Sequence, residues 1–315
     1  MRAAAILLLL QLFLFAGDRS TVSFYMENDV AFKTDFYYTG GMKISYLSQD
    51  LRTRAAASPW QRALWDQLPF YSEEGYRNNI GLALGVQVYT PQDTQSTELI
   101  EQDRPYAGWT YLAYSFISRN TAVQHTLETR IGMVGPDSRA REIQDAIHEA
   151  TGNRLQQGWE HQLNNELGLN LHYERRRRLV STRLGDRWQF ELFGNMGGAV
   201  GNINTYANAG TVMRIGRHMG DDFGPSLIAF SSASPVPLSH DVTHWGYGFF
   251  LGVDGRVVAH NIFLDGNTFS ESHSVPKKRV VGGVGYGFGL HYDAWRFVFA
   301  NALSSREFEG QPKPH

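Results

Sequence analysis

The sequence predicts an all-β protein, a transmembrane antiparallel β-barrel of about twelve strands with a short helix in an extracellular loop. Three observations carry this reading: an export leader, period-two alternation along most of the chain, and aromatic residues near strand ends. Arg2, the apolar run 3–15 and the small residues Ala16 and Gly17 read as a signal peptide, so the domains are 1–17 leader and 18–315 barrel. An uncleaved anchor is the alternative, but the run falls short of the roughly 20 apolar residues that a membrane-crossing helix needs. A barrel alternates lipid-facing and lumen-facing residues, so its mean hydropathy is low, as here at −0.34. The chain has no cysteine, and a closed barrel needs no disulfide because its backbone hydrogen bonds are satisfied around the ring. A formal net charge of −2 points away from nucleic acid as a partner.

Strands are expected at about 21–31, 40–48, 79–89, 109–118, 122–134, 163–175, 187–199, 203–216, 244–256, 279–292 and 294–305. In the fifth, Val123, Leu127, Ile131 and Met133 alternate with Gln124, Thr126, Glu128 and Arg130. In the sixth, Leu167, Leu169 and Leu171 alternate with Glu166, Asn170 and His172; in the tenth, Tyr286, Phe288 and Leu290 alternate with glycines. A soluble sandwich shows the same period. The leader, the strand lengths and the aromatics Tyr89, Trp109, Tyr173, Trp188, Trp245 and Trp295 favour the barrel. Single-chain bacterial barrels have an even strand count, so a closing strand beyond the eleven is expected; alternatively Asp254-Gly255 is a turn that splits one strand. Arg175–Arg178 reads as a solvated charge run on a periplasmic turn.

One segment departs from period two. Ser138 can cap a helix from about Arg139 to Ala150, with Ile143, Ala146, Ile147 and Ala150 on one stripe and Gln144 and His148 on the next. Loops after alternate strands share a rim, so the loops near 30–39, 90–108 and 135–162 lie together, on the extracellular side if the N-terminus is periplasmic. Asn28, Asp29, Thr39, Asp103, Arg104, Gln144 and His148 fall there. Asn28-Asp29 and Thr39 are ordinary turn residues, or else hard oxygen donors of the kind calcium prefers. Asp103-Arg104 is a surface ion pair beside a proline turn, or a site for a substrate phosphate or carboxylate. His148 is a surface histidine or a general base oriented by Gln144 and Asp145, with His161 and Gln162 as weaker candidates. No Gly-x-Ser-x-Gly elbow, His-Glu-x-x-His or EF-hand loop occurs.

Taken in order, Asn28-Asp29, Thr34-Asp35-x-x-Tyr38-Thr39-Gly40-Gly41, Asp103-Arg104-Pro105-Tyr106-Ala107-Gly108, Gly135-Pro136, Gln144, His148, Gly158-Trp159, Gln162 and Asn165-Glu166 resemble the lipid A 3′-O-deacylase (LpxR) family. The match runs from about 21 to 310. The resemblance implies a monomeric outer-membrane enzyme, a carboxylic ester hydrolase that needs Ca2+ and removes the 3′-linked acyloxyacyl chain from the lipid A of lipopolysaccharide. It implies that His148 activates water with support from Gln144, and that Asn28, Asp29 and Thr39 form the calcium site. Asp103 and Arg104 are the substrate-binding candidates. Arg154 stands where an acidic or neutral residue is expected near the metal. The alternatives are a non-catalytic porin or binding barrel and an outer-membrane phospholipase.

Overall fold

The computed structural model describes residues 20–28, 37–51, 59–66, 74–185, 187–224, 244–293 and 295–312. The expected leader and Asp29 lie outside the described residues. The elements are β1 (Thr21–Asn28), β2 (Tyr37–Leu47), α1 (Pro59–Trp65), β3 (Arg77–Thr90), β4 (Ala107–Arg119), β5 (Val123–Val134) and α2 (Ala140–Thr151). There follow β6 (Glu166–Leu184), β7 (Trp188–Gly201), β8 (Asn204–Arg217), β9 (Gly246–Asn261), α3 (Ile262–Asp265), β10 (Val280–Tyr292) and β11 (Trp295–Ser304). Each strand pairs antiparallel with the next in one sheet ordered β1 to β11. Eleven strands are described, and β1 and β11 are not neighbours among the described residues.

Two expectations are corrected. Asp254-Gly255 is not a turn: Gly255 pairs with Ala209 on one side and Gly282 on the other, and the Asp254 carboxylate accepts a 3.0 Å bond from Asn208 Nδ2. Nor is Arg175–Arg178 a turn. It lies mid-strand in β6, where Arg176 is buried and its Nε bonds Glu174 at 2.6 Å, while Arg177, on the other face, is exposed.

The two faces of the sheet invert the pattern of a soluble protein. Lys43, Glu128, Arg130, Glu191, Arg214 and Asp254 are buried, while Phe24, Leu112, Ile131, Leu169, Phe249, Tyr286 and Phe299 are exposed. Polar inside and apolar outside is the arrangement of a barrel whose solvent is lipid, and it removes the sandwich alternative. Inward charges are paired. Arg130 Nε donates to Glu128 Oε1 at 2.6 Å, and the guanidinium lies 4.9 Å from the Tyr111 ring. Replacing Glu128 by alanine leaves that cation buried without its partner and should destabilise the barrel by about 3–5 kcal/mol, read as a lower urea midpoint for loss of heat-modifiable mobility.

The sheet curls until distant segments meet. Arg104, before β4, pairs with Glu307, after β11, at 3.3 Å, and His273 Nε2 donates to Asp103 O at 2.7 Å. On this rim Phe263 of α3 stacks on Tyr89 at 3.9 Å, and Ile262 joins the same core cluster as Trp109. At the opposite rim, segment 218–224 folds inward. Asp222 is bound by Arg214 and, at 2.7 Å, by Arg296, while Phe223 packs 5.7 Å from Phe193. Burial alone would raise the Asp222 pKa, but these two guanidinium groups hold it well below the usual carboxylate range. Side chains therefore occupy both ends of the lumen.

Candidate active site

The loop helix α2 is built by glycines and small residues. Gly135, at φ 88°, turns the chain out of β5 into a 3-10 turn, Pro136–Ser138. The N-cap position is Arg139, at φ 58° and without a side-chain capping bond, rather than the expected Ser138; Ser138 Oγ, one residue earlier, accepts the Ala140 N–H at 3.3 Å, and Thr110 Oγ1 donates to Ser138 O at 2.6 Å. Gly152, at φ 73°, ends the helix. Helix and wall touch at Gly108, where an added Cβ would lie 2.1 Å from Ala140 Cβ. Tyr106 packs on Trp159, ring centroids 5.0 Å apart, beneath the same helix. Gly108, Tyr106, Gly135 and Trp159 thus seat α2. A Gly108→Val substitution should lift the helix from the wall and remove most activity while the folded gel mobility persists.

The helix docks on the outer face. On β3, Leu82 and Leu84 face outward, and Val86 and Val88 continue that row beneath α2, clustered with Ala140 and Trp159. Only three helix residues are fully buried, Ala140, Gln144 and His148, at i, i+4 and i+8. The polar stripe therefore faces the barrel. The apolar stripe, which sequence periodicity assigns to packing, lines an open groove of about 700 Å³ with Met42, Ile143, Ala146, Ile147 and Ala150 on its walls. Arg139 and Glu142 stand at one end, 2.7 Å apart, and the Arg139 bond holds the Glu142 carboxyl below its ordinary pKa.

His148 is 3% exposed, and its Nδ1 lies 2.6 Å from the backbone oxygen of Arg154. A carbonyl only accepts, so Nδ1 carries the hydrogen and Nε2 keeps a lone pair. The orienting group expected at Asp145 is instead this carbonyl. Asp145 turns to Arg141, 3.6 Å away. Gln144 is 5% exposed, and its Oε1 has no hydrogen-bond partner among the described residues. A buried carboxamide oxygen left open is costly unless something fills it.

Asn28 ends β1 opposite Gly40, and the β2–β3 register slips between Tyr38 and Gly40, so Thr39 is a bulge residue one step from Val88. Bulges re-aim side chains beside functional sites. The backbone thus brings Asn28 and Thr39 to the stretch of wall that α2 covers. Asp103 and Arg104 lie elsewhere. The Asp103 carboxylate accepts the N–H of Gln92 at 2.8 Å and of Arg104 at 2.7 Å, and the Arg104 guanidinium sits 4.9 Å from the lumen-side Tyr89 ring. Arg104 Nε and Nη2 have no partner among the described residues. His161 Nε2 bonds the Thr97 backbone at 3.1 Å. Glu166 was not a site candidate beyond its motif; it accepts from Asn202 Nδ2 at 2.7 Å and from the Thr268 N–H at 2.9 Å, fastening the β9–β10 loop.

An apolar exterior and a polar, ion-paired interior on one antiparallel curled sheet define a transmembrane β-barrel. The chain belongs to the LpxR family: the family model described as Outer membrane protein LpxR matches residues 3–315. Among solved structures it is similar to LpxR from Salmonella typhimurium, with a TM-score of 0.74 and 17% identity over 94% of this chain and 96% of that one. No curated protein matches it.

Proposed function

We propose that this outer-membrane protein is a calcium-dependent lipid A 3′-O-deacylase, acting as a monomer with its site on the extracellular side. The observation that supports this best is His148, buried between α2 and the outer wall with Nδ1 bonded to the Arg154 carbonyl, on the helix whose other stripe lines an apolar groove. A water-soluble ester would not call for a site that opens into a membrane. A glycolipid with long acyl chains does. One chain lies against Ile143, Ile147 and Met42. His148 Nε2 takes a proton from water as its oxygen bonds to the acyl carbon. The bond from that carbon to the sugar oxygen then breaks, and the proton passes from Nε2 to the sugar alkoxide. The products are a free hydroxyl on the sugar and an acyloxyacyl acid.

The candidate oxygen donors suit a hard cation. Gln144 offers a buried carboxamide oxygen with no partner among the described residues, and Asn28, Asp29 and Thr39 would add carboxamide, carboxylate and hydroxyl oxygens. No group of three or more His, Cys, Asp or Glu that could hold a metal occurs among the described residues, so a nitrogen–sulfur zinc centre has no support there. Calcium bound by these oxygens would polarise the ester carbonyl and stabilise negative charge on it.

Mass spectrometry of lipid A from cells that express the protein tests the reading. Loss of one acyloxyacyl unit is expected. Unchanged lipid A with fatty acid released from glycerophospholipid would instead establish a phospholipase.

A further inference from the structure

We propose that the β3–β4 wall thins the bilayer beside α2. Outward-facing residues of β9 run from Trp245 to Val257 and those of β10 from Val280 to Tyr292, with exposed apolar side chains at both ends of each row. At about 3.3 Å per residue and a tilt near 40°, twelve residue steps span roughly 30 Å, a full hydrocarbon thickness. The β3–β4 wall is different. Its outward row on β3 is Ile80, Leu82, Leu84, Val86, and on β4 Phe116, Tyr114, Leu112, Thr110. The upper end of both rows is covered by the α2 segment, Val86 by the Ala140–Trp159 cluster and Thr110 by its bond to Ser138. The lower end is covered by α1, where Trp65, 1% exposed, packs on Ile80 and Phe116.

Six residue steps separate the covered positions, so the bare apolar wall between the helices is roughly 15 Å high by the same geometry. The helices that bound it carry exposed charge. Arg139, Arg141, Glu142 and Glu149 are exposed on α2, and Asp66 is exposed at the end of α1. Charges of this kind do not sit in hydrocarbon. Tilting the barrel moves both ends of a wall together and cannot lengthen it. The bilayer must therefore narrow at β3–β4, six strands from the thick β9–β10 wall. The functional consequence rests on the deacylase reading: a depressed leaflet presents the ester-linked region of a glycolipid at the level of the groove.

Because the chain has no cysteine, single cysteines can be labelled uniquely. Nitroxides at Ala63→Cys on α1 and Glu149→Cys on α2 are placed in dioleoylphosphatidylcholine vesicles, each variant first checked for folded gel mobility. Both labels should be open to a water-soluble paramagnetic chelate, while a label at Leu84→Cys is open only to oxygen. Oxygen-rich, chelate-poor surroundings at either helix label would mean that the wall spans an ordinary bilayer, and would overturn the proposal. The second measurement is lipid A cleavage by the wild type in short-chain and long-chain phosphatidylcholine. A rate about tenfold lower in the thicker host is expected, and equal rates overturn the functional consequence. Absence of cleavage in every host would count against the deacylase reading and leave the label result standing.

Discussion

His148→Ala should lower lipid A deacylation by about 10²–10⁴-fold, the range that a positioned general base contributes, while the barrel keeps its heat-modifiable mobility. The two readouts separate because of where the residue sits. His148 is buried between α2 and the outer wall, and its hydrogen bond to Arg154 O joins two parts of the same loop rather than two strands. The strand ladder, the lumen ion pairs and the two end closures are untouched by the change. A folded variant that retains wild-type deacylation, measured by mass spectrometry of lipid A, would remove His148 from the mechanism and leave the groove without a base.

Chelation of calcium should reduce activity to background, calcium should restore it, and magnesium should not. Calcium accepts six to eight oxygen donors in flexible geometry, whereas magnesium demands a near-ideal octahedron and gives up its water reluctantly. A site assembled from a strand end, a bulge and a helix supplies the first arrangement more readily than the second. Gln144→Leu should raise the calcium concentration needed for half-maximal activity, since it removes a buried oxygen that no described group satisfies. Full activity in excess chelator would remove the metal from the reaction. An unchanged calcium requirement in Gln144→Leu would remove Gln144 from the ligand set.

Much of the fold was legible because side-chain alternation and strand geometry share a period. Each of the eleven strands overlaps the segment that alternation assigns to it, though β6 runs on to Leu184 past its expected end near 175, and the helix expected over about 139–150 is found at Ala140–Thr151. What alternation does not tell is which face is inside, and that governs the corrections. Arg176 looked solvated because it is charged, yet it points into a lumen where Phe223 and Gly224 carbonyls accept from it. Ile143 and Ile147 looked like packing residues because they are apolar, yet outside a barrel an apolar stripe can face lipid. α1 and α3, at seven and four residues, are too short for helical periodicity to register. That His148 and Gln144 share one helical stripe was legible from their spacing. The Arg154 carbonyl that fixes the His148 tautomer was not, because a backbone oxygen has no sequence signature.

The clasp between Arg104 and Glu307 bears on the order in which the molecule comes together. Every ladder joins strands adjacent in sequence, so hairpins can form one after another with short loops to close. Arg104 and Glu307 are 203 residues apart, and they meet only when β11 has been laid down and the sheet has curled. Until then the Arg104 guanidinium has lost its carboxylate and cannot be comfortably buried beside Tyr89. The rim that bears the site is therefore among the last parts to set. A chain stalled before β11 would hold the preceding ladders without this clasp.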